Sequence, residues 1–146
     1  FQSFLGDKPD HLERNFRINT TSLLYIARAT APAMIKAGKG AIIVTGNTSA
    51  LRGKANYAFF APTKAAQRIL AQSMARELGP KGVHVAYVLI DASIDTPWTR
   101  HLRSDDPPED FFCKPPAIAE TIYHVAHQDK SGWTFDVDLR PFGENW

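Results

Sequence analysis

Long segments with helical patterning alternate with short apolar segments along the chain, and this alternation restricts the possible folds more than any other feature. The patterns predict helices at residues 10–37, 57–78 and 116–127, and strands at residues 41–46, 84–90 and 133–139. Strands that alternate with helices of this length are parallel and are joined by right-handed crossovers. The sequence therefore predicts an α/β fold built on a parallel sheet.

The first predicted strand, AIIVTG at residues 41–46, contains four apolar residues in succession and ends at a glycine. A run of this kind is typical of a strand that is buried on both faces of a sheet. We therefore do not expect it to be an edge strand. Because three strands make a narrow sheet, we expect further strands of the fold to lie upstream of Phe1.

Composition excludes several classes of protein. A chain of 146 residues is the size of one domain, and 44% hydrophobic residues with a net charge of +2 exclude an intrinsically disordered chain. The 17 basic and 15 acidic residues nearly cancel, which argues against a nucleic-acid partner. No apolar run is long enough to cross a bilayer, and the single cysteine, Cys113, excludes a disulfide scaffold. We expect a cytoplasmic protein without a membrane partner.

Residues with useful chemistry are concentrated between the first strand and the second long helix. Ligands of open parallel sheets bind at the carboxyl ends of the strands, and this segment offers the hydroxyls of Thr48 and Ser49, the phenol of Tyr57 and the ammonium of Lys64. Phe60 lies four residues before Lys64 and shares its predicted helix face. We therefore expect a binding or catalytic site here.

The stretch NTSALRGKANYAFFAPTKAA resembles the short-chain dehydrogenase/reductase family, in which a serine-bearing loop precedes a Tyr-x-x-x-Lys pair on the next helix. FRINTTSLLYIARATAPAMI resembles the family helix that bears a structural asparagine, and IDTPW resembles the segment that holds the nicotinamide amide. The resemblance extends from about residue 4 to residue 139. It implies a Rossmann-type doubly wound sheet, an NAD or NADP cofactor and a small carbonyl or alcohol substrate.

The resemblance assigns roles on the substrate side of the site to three residues. Asn19 takes the position of the structural asparagine and would position a water. The serine that hydrogen-bonds the substrate carbonyl falls on Thr48 or Ser49. Both assignments stay open, because the loop is one residue shorter than usual.

On the cofactor side, Lys64 takes the position of the lysine that holds the nicotinamide ribose and lowers the pKa of the neighbouring phenol. Thr96 takes the position of the threonine that contacts the carboxamide, with Ile94 beside it. An alternative for Thr96 is that it only caps the turn before Pro97.

Phe60 occupies the position of the catalytic tyrosine and is the departure with the largest chemical consequence. A phenylalanine has no proton to donate to a developing alkoxide, and the loss of a positioned acid or base costs about 10²–10⁴-fold in rate. Tyr57, on the same predicted helix, is a possible substitute, although packing is the more common role there. Two functions remain open: an impaired oxidoreductase, or a non-catalytic relative that binds a ligand or cofactor or serves in assembly.

The sequence has no glycine-rich strand–turn–helix segment to receive a dinucleotide pyrophosphate. We therefore interpret residues 1–146 as the C-terminal part of a single Rossmann-type oxidoreductase domain, whose first strands would lie upstream. Asp91-Ala92 replaces the family's Pro-Gly pair. The helices at 10–37 and 57–78 resemble those that pair across a two-fold axis in this family, which implies a homodimer or homotetramer.

Other candidates have simpler explanations. Arg52 and Lys54 could meet a cofactor phosphate or an acidic substrate, but a solvated loop is the more common case. Cys113 has no evident base partner, so we expect an unreactive thiol. His124 and His127 lack an evident carboxylate or thiolate partner, so we predict no metal site. The run SDDPPED at residues 104–110 would be a lid if it lies over the site.

Overall fold

The fold alternates helices and strands as the sequence predicts. The structure, a computed structural model, describes residues 2–6, 8–103, 105 and 107–143. The elements in chain order are α1 (Asp10–Phe16), a π-helical turn (Arg17–Thr21), α2 (Ser22–Ala37), β1 (Gly40–Gly46), α3 (Ala61–Leu78), β2 (Val83–Ile90), β3 (Ser93–Ile94), α4 (Pro97–His101), β4 (Phe112–Cys113), α5 (Pro115–Ala126) and β5 (Asp136–Leu139).

The main sheet has the strand order β1-β2-β5, and both pairings are parallel. Ile42 of β1 lies opposite Val85 of β2, and Val88 of β2 lies opposite Val137 of β5. The parallel arrangement confirms the prediction from the alternation of elements. It also brings the carboxyl ends of β1 and β2 to the same edge of the sheet.

Both faces of β2 are covered, because successive side chains of a strand point to opposite faces. On one face, Val85, Tyr87 and Leu89 pack in a cluster with residues of α2 and α3. On the other face, Val88 and Ile90 pack with Ile118 of α5. The sheet is therefore doubly wound, as predicted.

The expectation that β1 is fully buried on both faces is wrong for the part of the chain that the structure describes, whereas the expectation of a further strand beside it stays a prediction. In that part of the chain, β1 pairs only with β2, and Ile42 and Ile43 are half-buried. The physical reason is that burial of a strand depends on its neighbours. In contrast, all eight residues of β2, which has a neighbour on each side, are buried.

The first long helix runs from residue 10 to residue 37 as predicted, but it is interrupted by the π-helical turn, whose middle residue is Asn19. A mid-helix asparagine favours such a local break because its side chain competes for backbone hydrogen bonds. Pro32 is accommodated inside α2. No helix among the described residues combines the length and apolarity needed to cross a membrane.

Other boundaries differ from the predictions. The helix predicted at 57–78 begins at Ala61, which puts Pro62 in its first turn, where a proline costs no hydrogen bond. The strand predicted at 133–139 begins at Asp136. The segment between β2 and α5, residues 91–114, contains the short helix α4 and the small parallel strand pair β3–β4. Ser104 and Asp106, part of the predicted lid, lie outside the described residues.

Candidate active site at the carboxyl end of the sheet

The turn that follows β1 presents the two candidate hydroxyls. The side chain of Asn47 accepts a hydrogen bond of 3.0 Å from the backbone N–H of Ser49, and this bond caps a short 3-10 turn over Thr48–Ala50. Asparagine favours this local bond to the backbone two residues ahead. The turn leaves Thr48 half-buried and Ser49 buried beside the end of the sheet.

A cavity of about 310 Å³ opens at this edge. Its walls include the side chains of both hydroxyl residues, two aromatic rings and two cations: Thr48, Ser49, Tyr57, Phe60, Arg52 and Lys54. Asp91, Ala92 and Ser93, which follow β2, also line the cavity. The cavity therefore lies where parallel α/β sheets bind ligands.

Tyr57 precedes α3, so the prediction that Tyr57 lies on this helix is wrong. Phe60 is the residue before the first helical residue, and its carbonyl accepts a hydrogen bond of 3.2 Å from the N–H of Lys64. The Tyr57 and Phe60 rings meet edge to face with centroids 6.4 Å apart. Both rings line the cavity. Tyr57 therefore places a phenol in the same cavity as Phe60, the residue at the position of the catalytic tyrosine.

Lys64 is buried, with 7% of its surface exposed. Its ammonium donates to the carbonyl of Thr45 at 3.2 Å and to Oε1 of Gln67 at 2.5 Å. Burial lowers the pKa of Lys64 from its ordinary value, because a desolvated ammonium is less stable than the neutral amine. Since an ammonium has three N–H donors, these two bonds leave one for a further acceptor.

Asn19 contacts the beginning of α3 rather than Lys64. Its Nδ2 donates to Oγ1 of Thr63 at 2.9 Å, and Oγ1 of Thr63 donates in turn to the carbonyl of Phe60 at 2.7 Å. The backbone carbonyl of Asn19 accepts a hydrogen bond of 2.7 Å from Nε2 of Gln67. The π-helical turn is thereby connected to Lys64 through the side chain of Gln67.

Two further hydrogen bonds connect the first helix to the start of α3. Nδ2 of Asn15 donates to the carbonyl of Phe59 at 2.8 Å, and Oγ1 of Thr20 donates to the carbonyl of Thr63 at 2.9 Å. Thr63 itself is fully buried. These polar contacts determine how the first helix approaches the site.

The segment after β2 carries the residues assigned to the nicotinamide amide. Ile94 pairs with Cys113 in the β3–β4 pair. The hydroxyl of Thr96 accepts a hydrogen bond of 3.1 Å from the N–H of Thr99 and caps α4, while its contact with a carboxamide stays a prediction. Asp91, on the cavity wall, is 3.7 Å from Nε of Arg140.

Cys113 packs in the core next to Val88 and Ile118 rather than in a polar loop. Burial raises the pKa of its thiol, which keeps the sulfur protonated and unreactive. On α5, Nε2 of His124 lies 3.8 Å from Oε1 of Glu120, one helical turn earlier.

Two residues at the site were not identified from the sequence. Asn47 precedes Thr48 and Ser49, and an asparagine directly before a short turn is a signal for a cap. Gln67 lies three residues after Lys64, a spacing that places both side chains on one helix face. Its second partner, Asn19, is 48 residues away in sequence, and no local pattern indicates that contact.

Comparison with known proteins agrees with this arrangement. The family model described as short chain dehydrogenase matches residues 2–107. L-rhamnose 1-dehydrogenase (NAD(P)(+)) of Sphingomonas sp. (strain SKA58) is 34% identical over 90 residues, which are 61% of this chain and 35% of that protein. D-erythrulose reductase of Gallus gallus is 33% identical over 85 residues, which are 58% of this chain and 35% of that protein.

A solved short-chain dehydrogenase from Rhodopseudomonas palustris superposes with a TM-score of 0.77 at 32% identity, covering 97% of this chain and 57% of that one. The chain therefore corresponds to part of the length of its relatives. The parallel sheet, the Lys64-bearing helix and the match over residues 2–107 together identify the chain as a member of the short-chain dehydrogenase family.

Proposed function

We propose that this chain forms the C-terminal, substrate-binding part of an NAD(P)-dependent oxidoreductase domain that acts on a small carbonyl or alcohol compound. The observation that carries the proposal is one cavity at the carboxyl end of the parallel sheet, lined by Thr48 and Ser49, with Lys64 buried on the helix that follows. Family membership supports the reaction class.

The residues of the chain fit the nicotinamide end of the cofactor. Lys64 retains one N–H donor beyond its bonds to Thr45 and Gln67, and a ribose hydroxyl is a suitable acceptor. Ile94 and Thr96 would contact the carboxamide. When bound, the reduced cofactor supplies a hydride. The sequence contains no glycine-rich turn for the pyrophosphate, so these residues would hold only part of the dinucleotide.

The hydroxyls of Thr48 and Ser49 are the groups that would polarise the carbonyl bond of the substrate. Thr48 or Ser49 would donate a hydrogen bond to the carbonyl oxygen, which stabilises the negative charge that develops there. Phe60 cannot supply the proton that the alkoxide then needs. Tyr57 lines the same cavity and is the phenol in a position to do so. We therefore expect slow turnover that depends on Tyr57.

Arg52 and Lys54 favour a substrate that carries an acidic group. Both side chains line the cavity that contains the two hydroxyls. Lys54 also lies over the ring of Tyr57, with its ammonium 5.4 Å from the ring centroid. A carboxylate or phosphate on the substrate would be attracted by both cations while its carbonyl meets the hydroxyls.

We further propose a homodimer or homotetramer formed through α2 and α3, in the cytoplasm. Large apolar side chains are exposed on these helices or on the adjoining π-helical turn: Ile18, Leu24, Tyr25, Ile26 and Ile69. Burial of such a surface is favourable in an oligomer. Light scattering that finds only monomer at micromolar concentration would contradict this assembly.

The second candidate is a non-catalytic relative that retains a ligand pocket, and Phe60 is the observation that favours it. The experiment compares wild type, Phe60→Tyr and Tyr57→Phe in the complete protein, with NADH and NADPH and a panel of aldehydes and ketones. We expect Phe60→Tyr to raise turnover by about 10²-fold or more and Tyr57→Phe to abolish the residual activity of wild type.

Calorimetric titration with both cofactors is the control, because it separates binding from chemistry. Cofactor binding without turnover in either wild type or Phe60→Tyr would support the non-catalytic relative. Absence of both binding and turnover would refute the oxidoreductase.

A further inference from the structure

Gln67 connects Lys64 to Asn19, the residue that the resemblance expects to position a water. Its Oε1 accepts from the ammonium of Lys64 at 2.5 Å, and its Nε2 donates to the backbone carbonyl of Asn19 at 2.7 Å. We propose that Gln67 is a positioning residue for Lys64, and that its amide fills the space in which a water could bridge Lys64 and Asn19, so that no proton passes between the lysine and the π-helical turn along this path. This inference rests on the proposed function.

The geometry around Asn19 is held from several sides, which makes the contact with Gln67 specific. Asn19 lies in the π-helical turn, where the backbone departs from regular α-helical hydrogen bonding. The turn is attached to α3 through the bonds from Asn19 to Oγ1 of Thr63 and from Thr20 to the carbonyl of Thr63. These bonds hold the Asn19 carbonyl in place against α3, where Gln67 contacts it and Lys64 at the same time.

An amide and a water differ in what they do between the same two groups. A water accepts and donates at one oxygen, so it can take a proton on one side and release another on the other side. Gln67 accepts at Oε1 and donates at Nε2, and a proton that arrived at one atom could leave from the other only through the unstable imidic acid form. Gln67 therefore holds the ammonium of Lys64 without passing protons to or from it.

The second partner of Lys64 leads to the same conclusion. The carbonyl of Thr45 accepts from Nζ and carries no proton of its own. Phe60, at the position of the family's tyrosine, likewise has no exchangeable proton on its side chain. Lys64 is then an anchor for a hydroxyl-bearing ligand, and the route for protons is interrupted at position 67 as well as at position 60.

The first test measures the pKa of Lys64 directly, by NMR titration of protein labelled with ¹³C at lysine Cε, with the signal assigned from Lys64→Arg. Gln67→Glu places a carboxylate beside the ammonium and should raise the pKa of Lys64 by about one unit or more. The matched control is Gln72→Glu on the same helix, where residue 72 lies beside Trp133 instead of Lys64. An unchanged pKa in Gln67→Glu, or an equal rise in both variants, would overturn the positioning role.

The second test asks whether positions 60 and 67 act together. In the Phe60→Tyr background, Gln67→Ala removes the amide and leaves room for water, and we expect turnover to rise by a further tenfold or so, with a changed pH profile. Gln67→Ala alone, without the phenol, should give no such gain, and Gln72→Ala should give none in either background.

A Phe60→Tyr/Gln67→Ala variant no faster than Phe60→Tyr would refute the closed proton route. If no variant binds NADH or NADPH, the proposed function fails, and the NMR titration still decides the role of Gln67. The unfolding midpoint of each variant establishes that it is folded before it is compared.

Discussion

Two strands of similar composition, β1 and β2, have very different surroundings. Both are largely apolar and rich in β-branched residues, yet β2 is buried at every position while Ile42 and Ile43 of β1 are half-buried. β2 has a parallel neighbour on each side, whereas β1 has one among the described residues. Hydrophobic patterning therefore indicates which residues form strands, but the number of neighbours decides how far each strand is buried.

The largest expected effect comes from truncating the same residue type in both strands. Ile90 of β2 is buried and Ile43 of β1 is half-buried, and both belong to the cluster that faces α5. Ile90→Ala should lower the free energy of unfolding by about 3–4 kcal/mol, since it leaves a cavity in a packed region, and Ile43→Ala by about 1–2 kcal/mol. Urea unfolding measures both values. Equal losses would show that β1 is as well packed as β2.

The contact between the two strands at Gly46 gives the next effect. A Cβ on Gly46 would overlap the phenol oxygen of Tyr87, whose side chain is fully buried. We expect Gly46→Ala to destabilise the protein by about 1–3 kcal/mol through overpacking. Gly53→Ala is the control, because a Cβ at Gly53 has no atom within 4 Å among those described. A Gly46→Ala variant as stable as Gly53→Ala would mean that Tyr87 moves freely.

Tyr87 also makes β2 sensitive to high pH. Burial raises the pKa of Tyr87 from 10.0 to about 12, so above pH 10 the unfolded state loses this proton while the folded state keeps it. The stability that this group contributes is complete below pH 10 and is lost as the pH rises through about 12. Tyr87→Phe should therefore reduce the loss of stability between pH 9 and pH 11 relative to wild type.

At neutral pH, Tyr87→Phe should change the free energy of unfolding less than any of the substitutions described above. Within the described part of the chain, the Tyr87 hydroxyl has no hydrogen-bond partner, and removing such a group is nearly neutral or slightly stabilising. Tyr25→Phe, at an exposed position on α2, is the control. A marked loss of stability at pH 7 in Tyr87→Phe would reveal a hydrogen bond to this phenol.

Local signals predicted much of the fold. Apolar runs located β1 and β2 to within one residue, and the predicted ends of the two long helices, at residues 37 and 78, agree with the ends of α2 and α3, each of which is followed by a glycine. The start of α3 was predicted four residues too early, and Pro62, which is tolerated only in the first turn of a helix, explains why α3 begins at Ala61. Asn19, unfavourable inside an α-helix, indicated the break that is a π-helical turn. These signals work because they depend on backbone geometry within a few residues.

The site was predicted less completely. The hydroxyls of Thr48 and Ser49 and the ring of Phe60, singled out from the sequence, line the cavity at the carboxyl end of the sheet. The partners of Lys64 were not predicted, since Gln67 gains its meaning only from a carbonyl in a distant helix. For Cys113, the sequence predicted an unreactive thiol because no base partner is evident, but it did not predict that the pairing of β4 with β3 buries the residue.

The sequence by itself determined the order of helices and strands, their parallel arrangement and the absence of a phenol at position 60, because each follows from periodicity or residue identity. Only the tertiary structure decided that β1 is half-buried, that Tyr57 precedes the helix, and that Gln67 connects Lys64 to Asn19. The reason is that burial and side-chain hydrogen bonding depend on segments brought together from far apart along the chain. Residue identity sets which bonds a group can form, and the fold sets which partner it meets.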